Sequence, residues 1–229
     1  MGRIYRKITH VIYDMDGLLL NTEPFYTKAN QEIAARYGRT FDWSHKSRVI
    51  GLRAMDTARI LVKTIPLPIT PEEYLELRKH LLEDLFPQAQ PMPGAVRLTE
   101  HLHRYGVAQA VASSSDRHHF ELKTSRHKKW LEIFQCFVVG ADPDVKHGKP
   151  APDVFLVAAQ RLGAEPANCL VFEDAPSGVE AACAAGMAAI AVPDPNLGNR
   201  AFPCAAQILR SLTEFDPADW GLPAYQESP

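Results

Sequence analysis

The sequence is poor in the features that would tie it to a secretory, membrane or nucleic-acid setting. It holds 4 cysteines in 229 residues. Cys136, Cys169, Cys183 and Cys204 show no C-x-x-C spacing and no paired framework, so all four are read as reduced thiols in a reducing compartment. Long apolar runs are lacking too. The longest uncharged stretch, 181–193, is broken by Gly186 and ends at a proline, too short to span a bilayer. Residues 1–6 carry no Ser or Thr at the sixth position, as a myristoylation signal needs, and Asp14 and Asp16 interrupt any signal-peptide apolar region. Charge of one sign is absent: 25 Lys+Arg against 27 Asp+Glu leave a net charge of -2. There is therefore no global basic excess for nucleic acid and no acidic tail. With 18 prolines and 13 glycines the composition is not low-complexity, and no internal repeat is visible. What remains, 46% hydrophobic and 23% charged residues, is ordinary for a folded protein long enough to bury a sizeable core. The expectation is a cytoplasmic protein without a membrane span.

The rhythm of the chain then gives the fold class. The apolar run His10-Val11-Ile12-Tyr13 stops at Asp14 and is followed by Gly17, which predicts a buried parallel strand and a turn. Residues 22–37 take helical period, with Phe25, Ala29 and Ile33 on one face and Gly38 as a stop. A second helix is expected at 53–65, closed by Pro66 and Pro68. Thr70-Pro71-Glu72-Glu73 reads as a capping box that opens a third, running to about Phe86. After the loop 87–93 helix and strand alternate, with helices at 94–105, 117–129, 152–162 and 176–185. The intervening strands fall at 107–112, 136–139, 169–172 and 188–192, with a last short one at 206–209. Such alternation predicts an α/β fold, a doubly wound parallel sheet with helices on both faces. The three-helix stretch interrupts the sheet after its first strand. The predicted organisation is a core of residues 1–20 and 89–229 with a small helical cap, 21–88, inserted into it.

In open parallel sheets, ligands bind beyond the carboxyl ends of the strands. That rule selects Asp14-Met15-Asp16-Gly17, Ser113-Ser114-Ser115, Lys149-Pro150 and Glu173-Asp174. Acids able to hold a hard cation, a hydroxyl and one lysine suit a magnesium ion and a phosphoryl group. Each residue also has a plainer reading. Asp14 could cap a turn, but two aspartates flanking one residue after a buried run repel unless a cation intervenes or one is protonated. Ser113 could be a helix N-cap, a position whose amides also bind phosphate. Lys149 could be a solvated surface charge. Glu173 and Asp174 end a buried strand, a poor place for two unpaired acids.

Asp14-Met15-Asp16-Gly17, Ser113, Lys149-Pro150 and Leu170-Val171-Phe172-Glu173-Asp174 resemble, in order and spacing, the four motifs of the haloacid dehalogenase (HAD) superfamily. The resemblance implies a Rossmann-like core with a helical cap, and a phosphatase. Within the superfamily, the D-M-D-G-L-L-L string, the stretch from Lys123 to Lys128 and V-F-E-D-A-P-S-G-V-E-A-A are similar to the pseudouridine-5'-phosphatase group. It implies that Asp14 is the nucleophile, forming an aspartyl-phosphate, and that Asp16 is the general acid and base, with a pKa raised by its surroundings. Ser113, with Ser114 beside it, and Lys149 would hold the phosphoryl group. Mg2+ would be bound by Asp14, Asp174 and the backbone carbonyl of Asp16, with Glu173 reaching it directly or through water. Asp16 argues against a dehalogenase, because relatives that attack carbon lack the second aspartate.

Close relatives usually have Asp where this chain has Asn21, at the cap junction. Family mutases carry a cap histidine where this chain has Tyr26. Tyr26, Arg53, Lys123 and Arg126 are candidate substrate contacts. Residues 117–129 hold five Lys or Arg, three His and one Glu. Base-stacking aromatics are nearly absent there, so a solvated helix face is preferred to a phosphate contact or an RNA patch. No histidine pair has metal-ligand spacing. The expected activity is hydrolysis of a small nucleoside 5'-phosphate such as pseudouridine 5'-phosphate, by a monomer with no nucleic-acid or membrane partner. Sugar-phosphate or glycerol-phosphate hydrolysis is the alternative, and a phosphomutase a weaker one. A phospho-accepting receiver domain is the non-enzyme alternative, but it would place its acidic pair after the first strand and its acceptor later, and it has no cap.

Overall fold

A computed structural model describes residues 7–226; the expectation for residues 1–6 falls outside them. The first strand, β1 (His10–Tyr13), is buried on both faces, and its residues alternate between two apolar layers. Val11 and Tyr13 face one layer, Ile12 the other, as the two-residue period of a strand requires. Around it lie β2 (Ala108–Ala112), β3 (Cys136–Val138), β4 (Cys169–Glu173), β5 (Ala188–Ala191) and β6 (Gln207–Ile208), all pairing in parallel in the order β3-β2-β1-β4-β5-β6. Helices α5 (Ala95–Arg104) and α6 (Arg117–Thr124) lend side chains to the first layer, α8 (Asp153–Leu162) and α9 (Pro176–Ala184) to the second. The sheet is doubly wound, as expected. The strand order reverses at β1, and Tyr13 pairs with Val111 and Phe172. Residues just past β1, β2 and β4 are thereby brought together at the switch point.

Between β1 and α5 run α1 (Glu23–Arg36), α2 (Trp43–Lys46), α3 (Ala54–Thr64) and α4 (Pro71–Glu83). Of these, α1, α3 and α4 close on an apolar cluster of their own, with Ile33, Ala58, Leu61 and Tyr74 at its centre. The Thr70 capping box forms as predicted: the Glu73 N–H donates to Thr70 Oγ1 at 3.1 Å and the Thr70 N–H to Glu73 Oε2 at 2.7 Å. The chain leaves and re-enters the sheet layer at one place, where the Asn21 N–H donates to Gln90 O at 2.8 Å. Asn21 itself is exposed.

Three expectations change. A short helix, α2, was not legible; its carrier is Asp42, whose carboxylate accepts from the Ser44 and His45 N–H groups. The helix expected at 117–129 breaks into α6 and α7 (Lys128–Leu131), where His127 Nε2 leaves the helical path to bond Ala89 O at 2.7 Å. The reduced-thiol reading is corrected for one pair. Cys183 on α9 and Cys204 ahead of β6 form a disulfide, their Cα atoms 6.5 Å apart, while Cys136 and Cys169 are free. Packing of α9 beside the 199–206 segment makes this pair, and a spacing of 21 residues carries no sequence signal for it.

Candidate active site

The buried strand β1 delivers Asp14 to the switch point, with its N–H donated to Phe172 O at 2.9 Å. Lys149 reaches it from the loop ahead of α8. Its ammonium is 5% exposed as a residue and donates to Asp14 Oδ1 at 2.5 Å, to Glu173 Oε1 at 2.6 Å and to Ala112 O at 3.2 Å. All three N–H donors are used, so the solvated-surface reading of Lys149 is excluded. Glu173 turns its other oxygen, Oε2, to the Ala175 N–H at 3.0 Å. Gly178, in the first turn of α9, makes this possible, since a β-carbon there would overlap the Glu173 carboxylate. Gly17 plays the same part for Asp174: it has φ +78°, and a β-carbon on it would overlap Asp174 Oδ2.

Asp16 points elsewhere. Its carboxylate accepts from Thr22 Oγ1 at 2.6 Å, Ser115 Oγ at 3.0 Å and Ser113 Oγ at 3.4 Å, and pairs with Lys123 Nζ at 2.7 Å. Each aspartate of the D-x-D pair thus has its own buried lysine. Ser113 also accepts the Ser115 N–H, at 3.1 Å. It is not the helix N-cap, because Asp116 caps α6 by accepting the His119 N–H at 2.9 Å. Ser114 spends its hydroxyl on Gly51 O in the helical insertion, at 3.1 Å, so its side chain is not a phosphate donor in this arrangement.

The charges do not balance around Asp14. Burial raises its carboxyl, Lys149 opposes that, Glu173 and Asp16 add to it, and the pKa stands at about 7. Asp174 is pushed well above the usual carboxylate range, by burial first and then by Glu173, Asp14 and Glu23. Asp16 behaves oppositely. Burial would raise it, but Lys123 and the hydrogen bonds from Thr22 and Ser115 outweigh that and hold it below the usual range. This corrects the expectation of a raised Asp16: without substrate it is a carboxylate.

Among the described residues, carboxylate oxygens of Asp14, Glu173 and Asp174 lie within 4.8 Å of one another, all buried. Three acids around one ammonium, with two of them driven toward the protonated form, are what a divalent cation would relieve. The donor set, all oxygen, fits Mg2+. The Asp16 side chain is outside this set, which leaves its backbone carbonyl as the atom it could offer. Glu173, with an oxygen on Lys149 and the other on a backbone N–H, is better placed to orient the lysine than to bind a metal directly.

Above these residues a cavity of about 90 Å³ separates the strand ends from the insertion. Asp14, Asp16, Ser115 and Asp174 form its floor, and Glu23, Tyr26, Asn30, Lys46 and Arg78 line it from the insertion. Tyr26 therefore reaches the site, and its hydroxyl accepts from Lys123 at 2.8 Å. Arg53 instead packs on Gly148. Arg126 is exposed and does not line the cavity. Most of 117–129 is the solvated face expected, but Lys123 is fully buried. Ser115 belongs to the serine run the sequence selects, but no role was assigned to it, and Thr22, Glu23 and Lys46 were not candidates. Of these only Thr22, six residues beyond Asp16 at the start of a helix, carried a usable signal.

An acid cluster, a buried lysine and a hydroxyl at the switch point of a doubly wound sheet define a phosphoryl-handling α/β enzyme. The family described as haloacid dehalogenase-like hydrolase matches residues 8–186. The chain belongs to that family. It is 48% identical to (DL)-glycerol-3-phosphatase 1, mitochondrial, of Arabidopsis thaliana over 97% of its own length and 76% of that protein's. It is 45% identical to a probable pseudouridine-5'-phosphatase of Drosophila melanogaster over 99% of both. A crystal structure of a HAD family hydrolase from Deinococcus radiodurans R1, with bound phosphate and sodium, matches with a TM-score of 0.75 at 25% identity, covering 96% of this chain and 99% of that one. With relatives named as phosphatases across its whole length, the chain is a phosphatase of this family.

Proposed function

We propose that this chain is a Mg2+-dependent phosphomonoester hydrolase working through an aspartyl-phosphate on Asp14. The observation that carries the reading is the pairing of Asp14 with Lys149 beside Glu173 and Asp174, beneath a cavity lined by Asp14, Asp16 and Asp174. The free Asp14 oxygen attacks phosphorus; Lys149, held on the other Asp14 oxygen, Glu173 and Ala112 O, supplies positive charge beside the phosphoryl group, and Ser113 orients one of its oxygens. Asp16 gives the leaving alkoxide its proton, then takes one from the water that cleaves the acyl phosphate. Because Asp16 starts as a carboxylate, the first proton arrives with the substrate, a phosphomonoester monoanion that transfers it to Asp16 on binding. A magnesium ion on Asp14, Asp174 and the Asp16 carbonyl would supply further charge for the phosphoryl oxygens. Residues 21–88 act as the cap, hinged at the Asn21–Gln90 crossing.

Two leaving groups have support. The Drosophila relative's name agrees with the nucleoside 5'-phosphate expected from the sequence. The cavity, about 90 Å³ against the roughly 300–1,000 Å³ of sites for drug-sized ligands, favours a smaller alcohol such as glycerol. Glu23, Asn30 and Lys46, set among apolar Phe41, Val49, Ile50 and Leu82 in its lining, offer partners to hydroxyl groups. We take the enzyme to act as a monomer. Among the described residues no helix is long and apolar enough to cross a membrane.

The test is phosphate release from glycerol 3-phosphate, pseudouridine 5'-phosphate and sugar phosphates, with Mg2+ and with chelator, for the wild type and Asp14→Asn. Turnover that needs the metal and vanishes in the folded variant is expected. Near-normal hydrolysis by the variant would refute the nucleophile, and a single stoichiometric phosphorylation would favour the receiver alternative.

A further inference from the structure

Lys123 has no exposed surface, and its ammonium has three neighbours within hydrogen-bond distance. Nζ lies 2.7 Å from Asp16 Oδ1, 2.6 Å from Ser115 Oγ and 2.8 Å from the Tyr26 hydroxyl. An ammonium has three N–H groups, so none is left for a substrate. The remaining space around it is closed by aromatic rings, with Phe86 at 4.5 Å and Tyr26 at 5.1 Å to their centroids. A cation is withdrawn from water only when it is paired and hydrogen-bonded, and among the described residues the carboxylate in ion-pair contact with it is Asp16. Lys123 touches neither Asp14 nor the Glu173–Asp174 pair, and the cation for the phosphoryl group is already supplied by Lys149.

We propose that Lys123 is a positioning residue for proton transfer: it fixes the Asp16 carboxylate toward the cavity, and the Tyr26 hydroxyl, reaching over from the inserted helices, completes the arrangement. This rests on the phosphatase reading above. It replaces the sequence-based expectation that Lys123 contacts substrate. It also gives Tyr26 a task that follows from its place on α1. When the insertion sits over the strand ends, Tyr26 fills the third donor of Lys123, and Asp16 is held in one orientation by Lys123, Ser115 and Thr22 together.

A group that only supports the fold slows all substrates alike. A group that aims the general acid matters most for leaving groups that need a proton. The experiment therefore measures kcat/KM for a series of aryl and alkyl phosphates graded in leaving-group acidity, from p-nitrophenyl phosphate to glycerol 3-phosphate, since kcat/KM reports the phosphoryl-transfer half alone. General acid catalysis contributes roughly 100- to 10,000-fold. Lys123→Met is expected to lose about 100-fold or more on the alkyl esters and less than about 10-fold on p-nitrophenyl phosphate. Tyr26→Phe should show the same selectivity at a smaller, several-fold scale. Lys123→Arg keeps the charge but not the three-point donor geometry and should fall between. Equal losses across the series, or none, would overturn the proposal. Should Lys123→Met fail to fold by circular dichroism, the slope for Tyr26→Phe decides in the same way. A wild type that hydrolyses none of the esters would instead sink the phosphatase reading and this inference with it.

Discussion

Arg53 lies so close to Gly148 that its Nε would stand 2.5 Å from a β-carbon at that position. Gly148 does not have a positive φ, so space rather than backbone freedom calls for glycine here. Arg53 precedes α3 in the helical insertion, and its Nη2 donates to Val145 O at 3.4 Å. The insertion thus rests directly on the loop that carries Lys149. Gly148→Ala should displace Arg53 and shift the lysine. Misplacing a reacting group by an ångström costs on the order of 100-fold, so a fall in kcat/KM of roughly 10–100-fold is expected, with overpacking lowering stability by about 1–3 kcal/mol. Steady-state kinetics and urea unfolding on the same sample check both, and unchanged kinetics would show that the contact is idle.

Gly178 keeps Glu173 on Lys149. Gly178→Ala puts a methyl group where the Glu173 carboxylate now lies. The carboxylate would have to leave its place between Lys149 and the Ala175 N–H. Breaking one arm of a buried ion pair is strongly destabilising, about 3–5 kcal/mol. The expected result is a large loss in urea stability together with loss of turnover. A variant that is as stable as the wild type would show that Glu173 is not held as described.

The acid cluster makes metal binding and pH interdependent. Asp14 has its pKa raised to about 7, and Asp174 is pushed well above the usual carboxylate range, by burial and by neighbouring carboxylates. Between the ordinary carboxylate range near pH 4 and pH 7 the native state without metal holds protons that the unfolded chain has released. Stability therefore falls as pH rises through that window. Asp16, with its pKa depressed, works the other way: its contribution is present above the ordinary carboxylate range and is lost only as pH falls through its own lower value. In chelator the melting temperature should decline from pH 5 to pH 8. Added Mg2+ should raise it more at pH 8 than at pH 5, because at pH 5 the ion must displace protons. Differential scanning calorimetry tests this. A metal effect equal at both pH values would mean the ion binds elsewhere.

The Cys183–Cys204 disulfide closes a loop of 21 residues, for which chain entropy gives about 3 kcal/mol of stabilisation. Cys204→Ser should lose about that much in urea unfolding and retain most of its turnover at 25 °C, since the bond lies outside the acid cluster. Thiol titration of the unreduced protein should find two free cysteines. Four would show that the pair is open in solution.

Much of this was legible beforehand because it depends on local pattern. The alternation of helix and strand, the apolar run ahead of Asp14 and the Thr70 capping box each follow from neighbours in sequence, and the structure holds them within a few residues. Acids and a lysine at strand ends were legible for a similar reason, since in a doubly wound sheet a strand end is also a place in space. The short helix after Asp42 and the break at His127 were not, because one depends on a single cap and the other on a hydrogen bond to Ala89, 38 residues away.

By itself, then, the sequence determined the sheet, the positions of its four motifs and the family resemblance they carry, all set by residue type and spacing. Only the tertiary structure decided which charge each aspartate meets. Lys149 is 135 residues from Asp14, and Lys123 joins Asp16 from a helix that reads as a solvated face. Whether a lysine on such a helix points to water or to a carboxylate depends on what packs over it, here Phe86 and Tyr26, and no periodicity within the helix records that.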